Sequence, residues 1–327
     1  MITRRDVALK ANVSAATVTN VFNQSKFVSP EIRKKVLDAA IEVGYIQKQA
    51  MEFVFLCDDL TNPHNIDIFE GMCKSASEQN AIVYMVPFSN DFNLICDRLI
   101  KRRVAGVFIS NSYHNIDEST CKKLEDNKIV VSSSWNEFQV DISSVPGMLV
   151  DYLCTLGHKK IGYLINTPYS KEMTYSKGGR YSTFKDALRR NDIQFFDDMI
   201  IQGAFPYKAD FANGYSSMKN ALLAGKKFTG IIATNDLMGV GAIKAISELG
   251  LSVPDDISVV SCDDIQLSKY SIPSLTTVHL PAKSLGETCL SNMILKKSGQ
   301  PHSVSHQNIN IIVRDSAAPP KKHEKHD

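Results

Sequence analysis

Asp6-Val7-Ala8-Leu9-Lys10-Ala11-Asn12-Val13-Ser14-Ala15-Ala16-Thr17-Val18-Thr19-Asn20-Val21-Phe22-Asn23 is the stretch that decides how this 327-residue chain begins. Asp6, Val7, Ala8 and Ala11 put small and apolar groups on one face of a short helix. Asn12-Val13-Ser14 forms a tight turn, where Asn tolerates the left-handed conformation and the Ser14 hydroxyl can cap the next helix. Thr17, Val18, Val21 and Phe22 follow at helical spacing, with Asn23 at the stop. A third helix opens at Ser29-Pro30-Glu31, a cap followed by proline at the first helical position. It carries Ile32, Val36, Ala39, Ala40 and Val43 inward and ends at Gly44. Three short helices this close in sequence bury one small core and leave the second free to enter a major groove. A plain helical cap on an enzyme would share the periodicity but not this turn chemistry.

Charge separates this end from the rest. Residues 1–50 hold eight Lys/Arg against four acids, a net of +4; of the 37 basic and 35 acidic residues in all, 29 and 31 remain, a net of −2. Cationic side chains release counterions from a duplex, so the basic end suits phosphates. No apolar run reaches transmembrane length, and Met1 is followed by Ile-Thr-Arg-Arg-Asp and not by a secretory segment. The seven cysteines are scattered without a Cys-x-x-Cys pair, which suits reduced core thiols. A cytoplasmic protein that does not engage a membrane is expected.

From Phe53 onward, apolar strand candidates alternate with amphipathic helices. Phe53–Cys57, Ile82–Pro87, Val104–Ser110 and Ile129–Ser133 form one series of strands; Ile161–Ile165, Gly230–Ala233 and Ile257–Cys262 form a second. This β-α alternation predicts an α/β fold in which two lobes of parallel, doubly wound sheet face a cleft. Ligands of open α/β sheets sit at the carboxyl ends of strands. Polar residues stand there: Asp58-Asp59 after the first strand, Ser110 after the third, and Asn235-Asp236 and Asp263-Asp264 in the second series. They suit hydrogen bonding to a small polar ligand, or they cap the helices that follow. Ligand contact is the favoured reading for Asn235 and Asp263, whereas for Asp236 and Asp264 both readings stand.

The run Asp6-Val7-Ala8, Ala11-Asn12-Val13-Ser14, Thr17 to Asn23, Val28-Ser29-Pro30-Glu31 and Gly44-Tyr45 resembles the head of the lactose/galactose repressor family. The body resembles the same family in Asn62-Pro63, Gly157-His158, Arg180-Tyr181-Ser182-Thr183-Phe184, Ala233 to Met238, Pro254 to Val260 and Leu275 to Val278. The resemblance implies a helix-turn-helix head on a periplasmic-binding-protein-like body, acting as a transcriptional regulator and repressor. It implies DNA contacts from Arg4, Ser14, Ala15, Ala16, Thr17, Thr19, Asn20, Asn23 and Lys34. It implies an effector held by Asn65, Ser110, Asp141, Arg180, Phe205, Asn235 and Asp263. Where the family has two aromatics after Asn-Pro, this chain has His64 and Asn65. Ile142 replaces the Asn that usually neighbours the matched aspartate.

A guanidinium fork at Arg180 with carboxylates at Asp141 and Asp263 suits vicinal hydroxyls, so a carbohydrate-like effector is expected. The implied partners are a pseudo-palindromic operator duplex and a second copy of the chain in a homodimer; no cofactor or metal is called for. The expected division is a head at 1–46, a shortened linker at 47–52, a body at 53–316 and a charged, disordered tail at 317–327. Within the body, lobe 1 takes 53–155 and 282–306, and lobe 2 takes 156–281 and 307–316.

Alternatives come from other classes. An enzyme would carry a Gly-x-Gly-x-x-Gly after Phe53–Cys57, a Gly-x-Ser-x-Gly elbow or a phosphate loop, and none is present. His302 and His306 have no companion carboxylate or thiol cluster for a metal. A solute-binding protein has no use for a DNA head, whereas an effector-binding relative with impaired DNA binding stays open. The joint supplies the reason. Only Ile46 to Glu52 separates Gly44-Tyr45 from the first strand, seven residues that reach about 24 Å and cannot also form a two-turn hinge helix. The recognition helix departs too: Ala15, Ala16 and Asn20 face the bases where the family often has a final arginine. Alanine contacts a thymine methyl and asparagine pairs with adenine, so less guanine preference is expected.

Overall fold

The computed structural model describes residues 2–23, 26–45, 50–57, 59–88, 92–110, 118–133, 142–167, 179–205, 208–302 and 309–321. The head consists of α1 (Arg4–Lys10), α2 (Ala15–Asn23) and α3 (Pro30–Glu42). Thr3 opens α1, its backbone N–H donating to Asp6 Oδ2 at 2.7 Å. Asn12 takes φ 48° at the turn, the left-handed geometry that Asn tolerates better than most residues with a Cβ. Ser14 Oγ then accepts the Thr17 N–H at 3.0 Å and so satisfies one of the orphan donors of α2. Ser29 does the same for Ile32 N at 3.4 Å, with Pro30 at the first helical position. Val7, Ala8, Ala11, Val18, Val21, Val36, Ala39 and Ala40 form the core, and Phe22 and Tyr45 close it with ring centroids 5.3 Å apart. Ile32 differs from expectation. It lies in the first turn of α3, beyond the edge of this small core, and is 40% exposed.

In the body, β1 (Met51–Cys57), α4 (Pro63–Glu78), β2 (Ala81–Pro87), α5 (Phe92–Arg102), β3 (Gly106–Ser110), α6 (Glu118–Asp126) and β4 (Val130–Ser133) build the first lobe. Its sheet runs β2-β1-β3-β4, with β3 parallel to both of its neighbours. The second lobe comprises α7 (Val145–Thr155), β5 (Ile161–Ile165), α8 (Arg180–Arg190), β6 (Ile200–Gln202), α9 (Phe211–Leu223), β7 (Gly230–Ala233), α10 (Asp236–Glu248), β8 (Ser258–Asp263), α11 (Gln266–Tyr270) and β9 (Thr276–His279). Then come α12 (Ala282–Lys297) and β10 (Asn310–Ile312). The second sheet runs β10-β9-β8-β7-β5-β6, parallel except at β10, which pairs antiparallel with β9. β1, β5 and β7 are buried almost throughout and read as continuous apolar runs, as strands covered by helices on both faces do.

α7, assigned to lobe 1 by a boundary at 155, packs instead on α8, β7 and β8. Its Leu153 side chain lies beside Gly230 of the second sheet. α12 crosses α4. An ideal Cβ on Gly71 would stand 2.0 Å from Lys283 O, and one on Gly286 1.9 Å from Ile68 O. Each glycine lets the opposite backbone approach, so this pair sets the crossing. Gly214 and Gly241 repeat the device between α9 and α10, each 2.3 Å from a facing carbonyl by the same measure.

The tail is corrected as well. Residues 317–321 dock on the second lobe: the Ala318 carbonyl accepts from Ser258 Oγ at 3.0 Å and faces His158 Nε2 at 2.9 Å, and Lys321 reaches Asp256 at 3.1 Å. β1 begins at Met51, two residues before its expected start. Of the linker read as 47–52, residues 47–49 lie outside the described residues.

Candidate functional site

In the head, α2 presents Ala15 and Ala16 to solvent, with Thr17, Thr19 and Asn20 half-buried beside them. Thr19 Oγ1 donates back to Ala15 O at 3.0 Å, and Ser14 Oγ lies 2.8 Å from Thr17 Oγ1, so these hydroxyls also hold the helix start. Arg4 Nε donates to Tyr45 Oη at 3.2 Å, which ties the first helix to the end of the head. Lys34 is exposed on α3. Only the backbone of Asn23 is described, at the end of α2.

In the body, the expected effector residues divide by what they already bind. Asn65 in α4 is buried; its Nδ2 donates to Asp59 O and its Oδ1 accepts from Ser110 Oγ, both at 3.0 Å. That bond joins the segment after β1 to the end of β3, so the structure brings these two residues together. Asn235 caps α10, accepting Met238 N at 3.0 Å, and its Nδ2 donates to Ala209 O at 2.9 Å. Both polar atoms of Asn235 are thus engaged by the protein. Asp236, fully buried, accepts from Ser261 Oγ, from Ser268 Oγ at 2.5 Å, from Thr277 Oγ1 at 2.6 Å and from Ile265 N at 2.9 Å. Asp264 accepts from Arg314 and lies 2.9 Å from His279 Nδ1. These two aspartates act as staples of the second sheet.

Asp263 and Arg180 remain as an electrostatic pair. Asp263 ends β8 at φ 119°, a strained backbone for a residue with a Cβ. Burial pushes its carboxyl up to about 7, while the Arg180 guanidinium and the Cys262 side chain pull it down. Burial, and next the charge of Asp263, raise Asp236 to about 7 against its hydroxyl donors. His64, in the first turn of α4, meets the same group from the other lobe. Burial lowers its imidazole to about 4; Asp67 and Asp236 oppose this and Arg180 reinforces it. Arg180, Asp263, Asp236 and His64 therefore share one electrostatic environment at the strand ends. Phe205 follows β6 and is 84% exposed. Asp141 lies outside the described residues.

Sequence reasoning passed over Asn166. It directly follows β5, is 2% exposed, and its Nδ2 has no hydrogen-bond partner among the described residues. The sequence carried a partial signal: Asn166 directly follows the apolar run Ile161–Ile165, much as Asn235 stands just past Gly230–Ala233.

Comparison with known proteins follows this geometry. Residues 3–48 match the family described as bacterial regulatory proteins, lacI family, and residues 150–317 match the periplasmic binding protein-like domain. The chain belongs to the lacI family. It is a DNA-binding repressor with an effector-binding domain, in a family of transcriptional regulators and not enzymes. The HTH-type transcriptional repressor PurR of Mannheimia succiniciproducens is 29% identical over 310 residues, covering 89% of this chain and 90% of the relative. A crystal structure of the lac repressor dimer bound to operator and the anti-inducer ONPF is 26% identical with TM-score 0.70, covering 97% of this chain and 99% of that one. A complex of the transcriptional regulator CelR with cellobiose, 19% identical, shares the fold with TM-score 0.65 over 97% of this chain and 100% of its own. No helix among the described residues is long and apolar enough to cross a membrane.

Proposed function

We propose that this repressor binds a pseudo-palindromic duplex as a homodimer, and that a small hydroxyl-rich effector, a sugar or sugar derivative, sets that affinity from the strand ends around Arg180. The support for the effector reading is the charge of Arg180 acting on the buried Asp263 carboxyl, with Asn65 and Ser110 tied together at the strand ends of the other lobe. A guanidinium donates in a planar fork and a carboxylate accepts from two hydroxyls, which matches neighbouring hydroxyl groups on a ring. Asp141 and Phe205 are proposed to complete the binding set as acceptor and stacking surface. For the dimer, the support is apolar surface at α11 and beyond it, where Tyr270 is 72% and Ile272 93% exposed.

On DNA, α2 is proposed to enter the major groove, with Ala15, Ala16 and Asn20 toward base edges and Ser14, Thr17, Thr19 and Asn23 beside them. Arg4 and Lys34 supply phosphate contacts. Because the joint before β1 is short, the coupling between effector and operator is proposed to lie at or below about 1 kcal/mol, the low end for allosteric systems. Titration of Trp135 fluorescence with ribose, glucose and cellobiose tests the effector reading. Arg180→Ala should abolish a saturable response while the chain stays folded; an unchanged response would remove Arg180 from the site.

A further inference from the structure

Three asparagines stand near the carboxyl ends of neighbouring strands in the second lobe, and they differ in what they bind. Asn213, in α9, accepts Ala204 N at 2.8 Å and Ser217 Oγ at 3.0 Å, and donates to Lys208 O at 2.8 Å. Asn235 spends its oxygen on the cap of α10 and its nitrogen on Ala209 O. Thr234, the residue before it, is held to Leu164 O through both its N–H and its hydroxyl, each at 3.0 Å. Gly203, on the other side of β5, donates its N–H to Ile165 O at 2.7 Å. The backbone around the end of β5 is therefore satisfied and closely held.

Asn166 alone breaks this pattern. Its amide nitrogen is buried without a partner among the described residues, and a buried donor left unmade costs more than a hydrogen bond returns. Native structures carry few such groups, and each calls for a cause. Desolvation has already been incurred in the folded chain, so an acceptor arriving from outside gains nearly the full strength of the bond. A site that is preorganised in this way discriminates strongly against a ligand lacking the matching atom.

We propose that Asn166, rather than Asn235, is the asparagine through which the second lobe reads the effector, donating Nδ2–H to an uncharged oxygen acceptor such as a ring, hydroxyl or carbonyl oxygen. This rests on the effector reading given above and narrows it. With Arg180 already supplying donors and Asp263 the acceptor, the ligand must offer an oxygen acceptor to Asn166 and a hydroxyl donor to Asp263. A reduced analogue lacking that oxygen should bind far more weakly.

The test combines stability and ligand response. In ligand-free full-length chain, Asn166→Ala should leave Tm unchanged or raise it, because the unmet donor is removed. Asn213→Ala and Asn235→Ala should lower Tm by roughly 2–4 °C, since each loses satisfied bonds. A comparable fall for Asn166→Ala would overturn the proposal. Thermal shifts with ribose, glucose and cellobiose form the second arm. If a sugar raises the Tm of the parent chain, Asn166→Ala should weaken its binding at least tenfold, and Asn166→Asp, which removes the donor but keeps the shape, should do the same. Loss of response in Arg180→Ala but not in either Asn166 variant would keep the effector site and overturn the role of Asn166. A response untouched by both Arg180 and Asn166 substitutions would overturn the effector site itself, and the role of Asn166 with it. If none of the three sugars acts, the ligand-free stability comparison decides alone: a gain or no change upholds the proposal, a fall overturns it.

Discussion

Arg314, two residues past β10, donates its guanidinium to the carboxylate of Asp264, the residue after β8, and the two side chains are only 12% and 10% exposed. The same guanidinium donates to Leu275 O at 2.7 Å, and His279 on β9 lies against the second carboxylate oxygen. Three strand ends are thereby joined immediately beside Asp263, whose φ of 119° needs a firm surround.

Removing one partner should therefore cost more than removing both charges. Arg314→Ala is expected to destabilise the chain by about 3 kcal/mol, because a buried carboxylate loses its main cation. Arg314→Ala with Asp264→Asn should be milder. Urea denaturation of the two variants and the parent gives the comparison, and equal losses would show that the charge pair contributes little.

The cleft groups give a signed pH dependence. Asp263 rises from an ordinary 3.8 to about 7, so between those values the native state holds more protons than the unfolded one, and stability falls as pH rises. His64, lowered from 6.5 to about 4, works in the opposite direction: stability rises with pH between those values. Asp263→Asn removes the first effect and one cause of the raised Asp236, so relative to the parent its stability should gain as pH rises from about 4 to 7. His64→Asn should leave a stability that declines toward pH 7. The slopes of the two variants should differ by up to about two protons, measurable by denaturation across that range; parallel profiles would contradict the shared environment.

At the α4–α12 crossing, Gly71→Ala or Gly286→Ala drives a methyl into backbone at 2.0 or 1.9 Å, which no side-chain rotation relieves. A loss of about 1–3 kcal/mol is expected from overpacking. Gly225→Ala, in open space but at φ +81°, tests backbone strain without a clash. Thermal denaturation should rank both helix variants below the parent.

On DNA, Asn20→Ala should cost about 1–3 kcal/mol and relax preference at one base pair per half-site. Lys34→Ala should weaken all duplexes alike and flatten the salt dependence. Arg4→Ala is less clean, because Arg4 also holds Tyr45. Gel-shift titrations over a range of salt separate these effects.

Much of this was legible in the residues. Asn12 and Ser14 announced the turn of the head through conformational tolerance and capping, and the longer apolar runs marked the strands that lie between helices. β6 and β10 were not seen, since three residues such as Ile200–Gln202 are too few to show a period. β9 entered only through the family-like run Leu275 to Val278 and not as a strand. The docked tail was missed because Ala318 engages through its backbone, and any residue there could do the same. The site residues were legible by type and place but not by commitment. Asn235 and Asn166 both follow strands, and the residue type alone does not tell the cap of α10 from the unmet donor.

The most direct test is selection of duplexes from a random pool by the purified full-length chain, followed by titration of the recovered sequence. The account predicts a two-fold-symmetric site bound at least a thousandfold more tightly than random DNA, about 4 kcal/mol, with that preference weakened by Asn20→Ala. Recovery of no common sequence, or equal affinity for recovered and random duplexes, would contradict it.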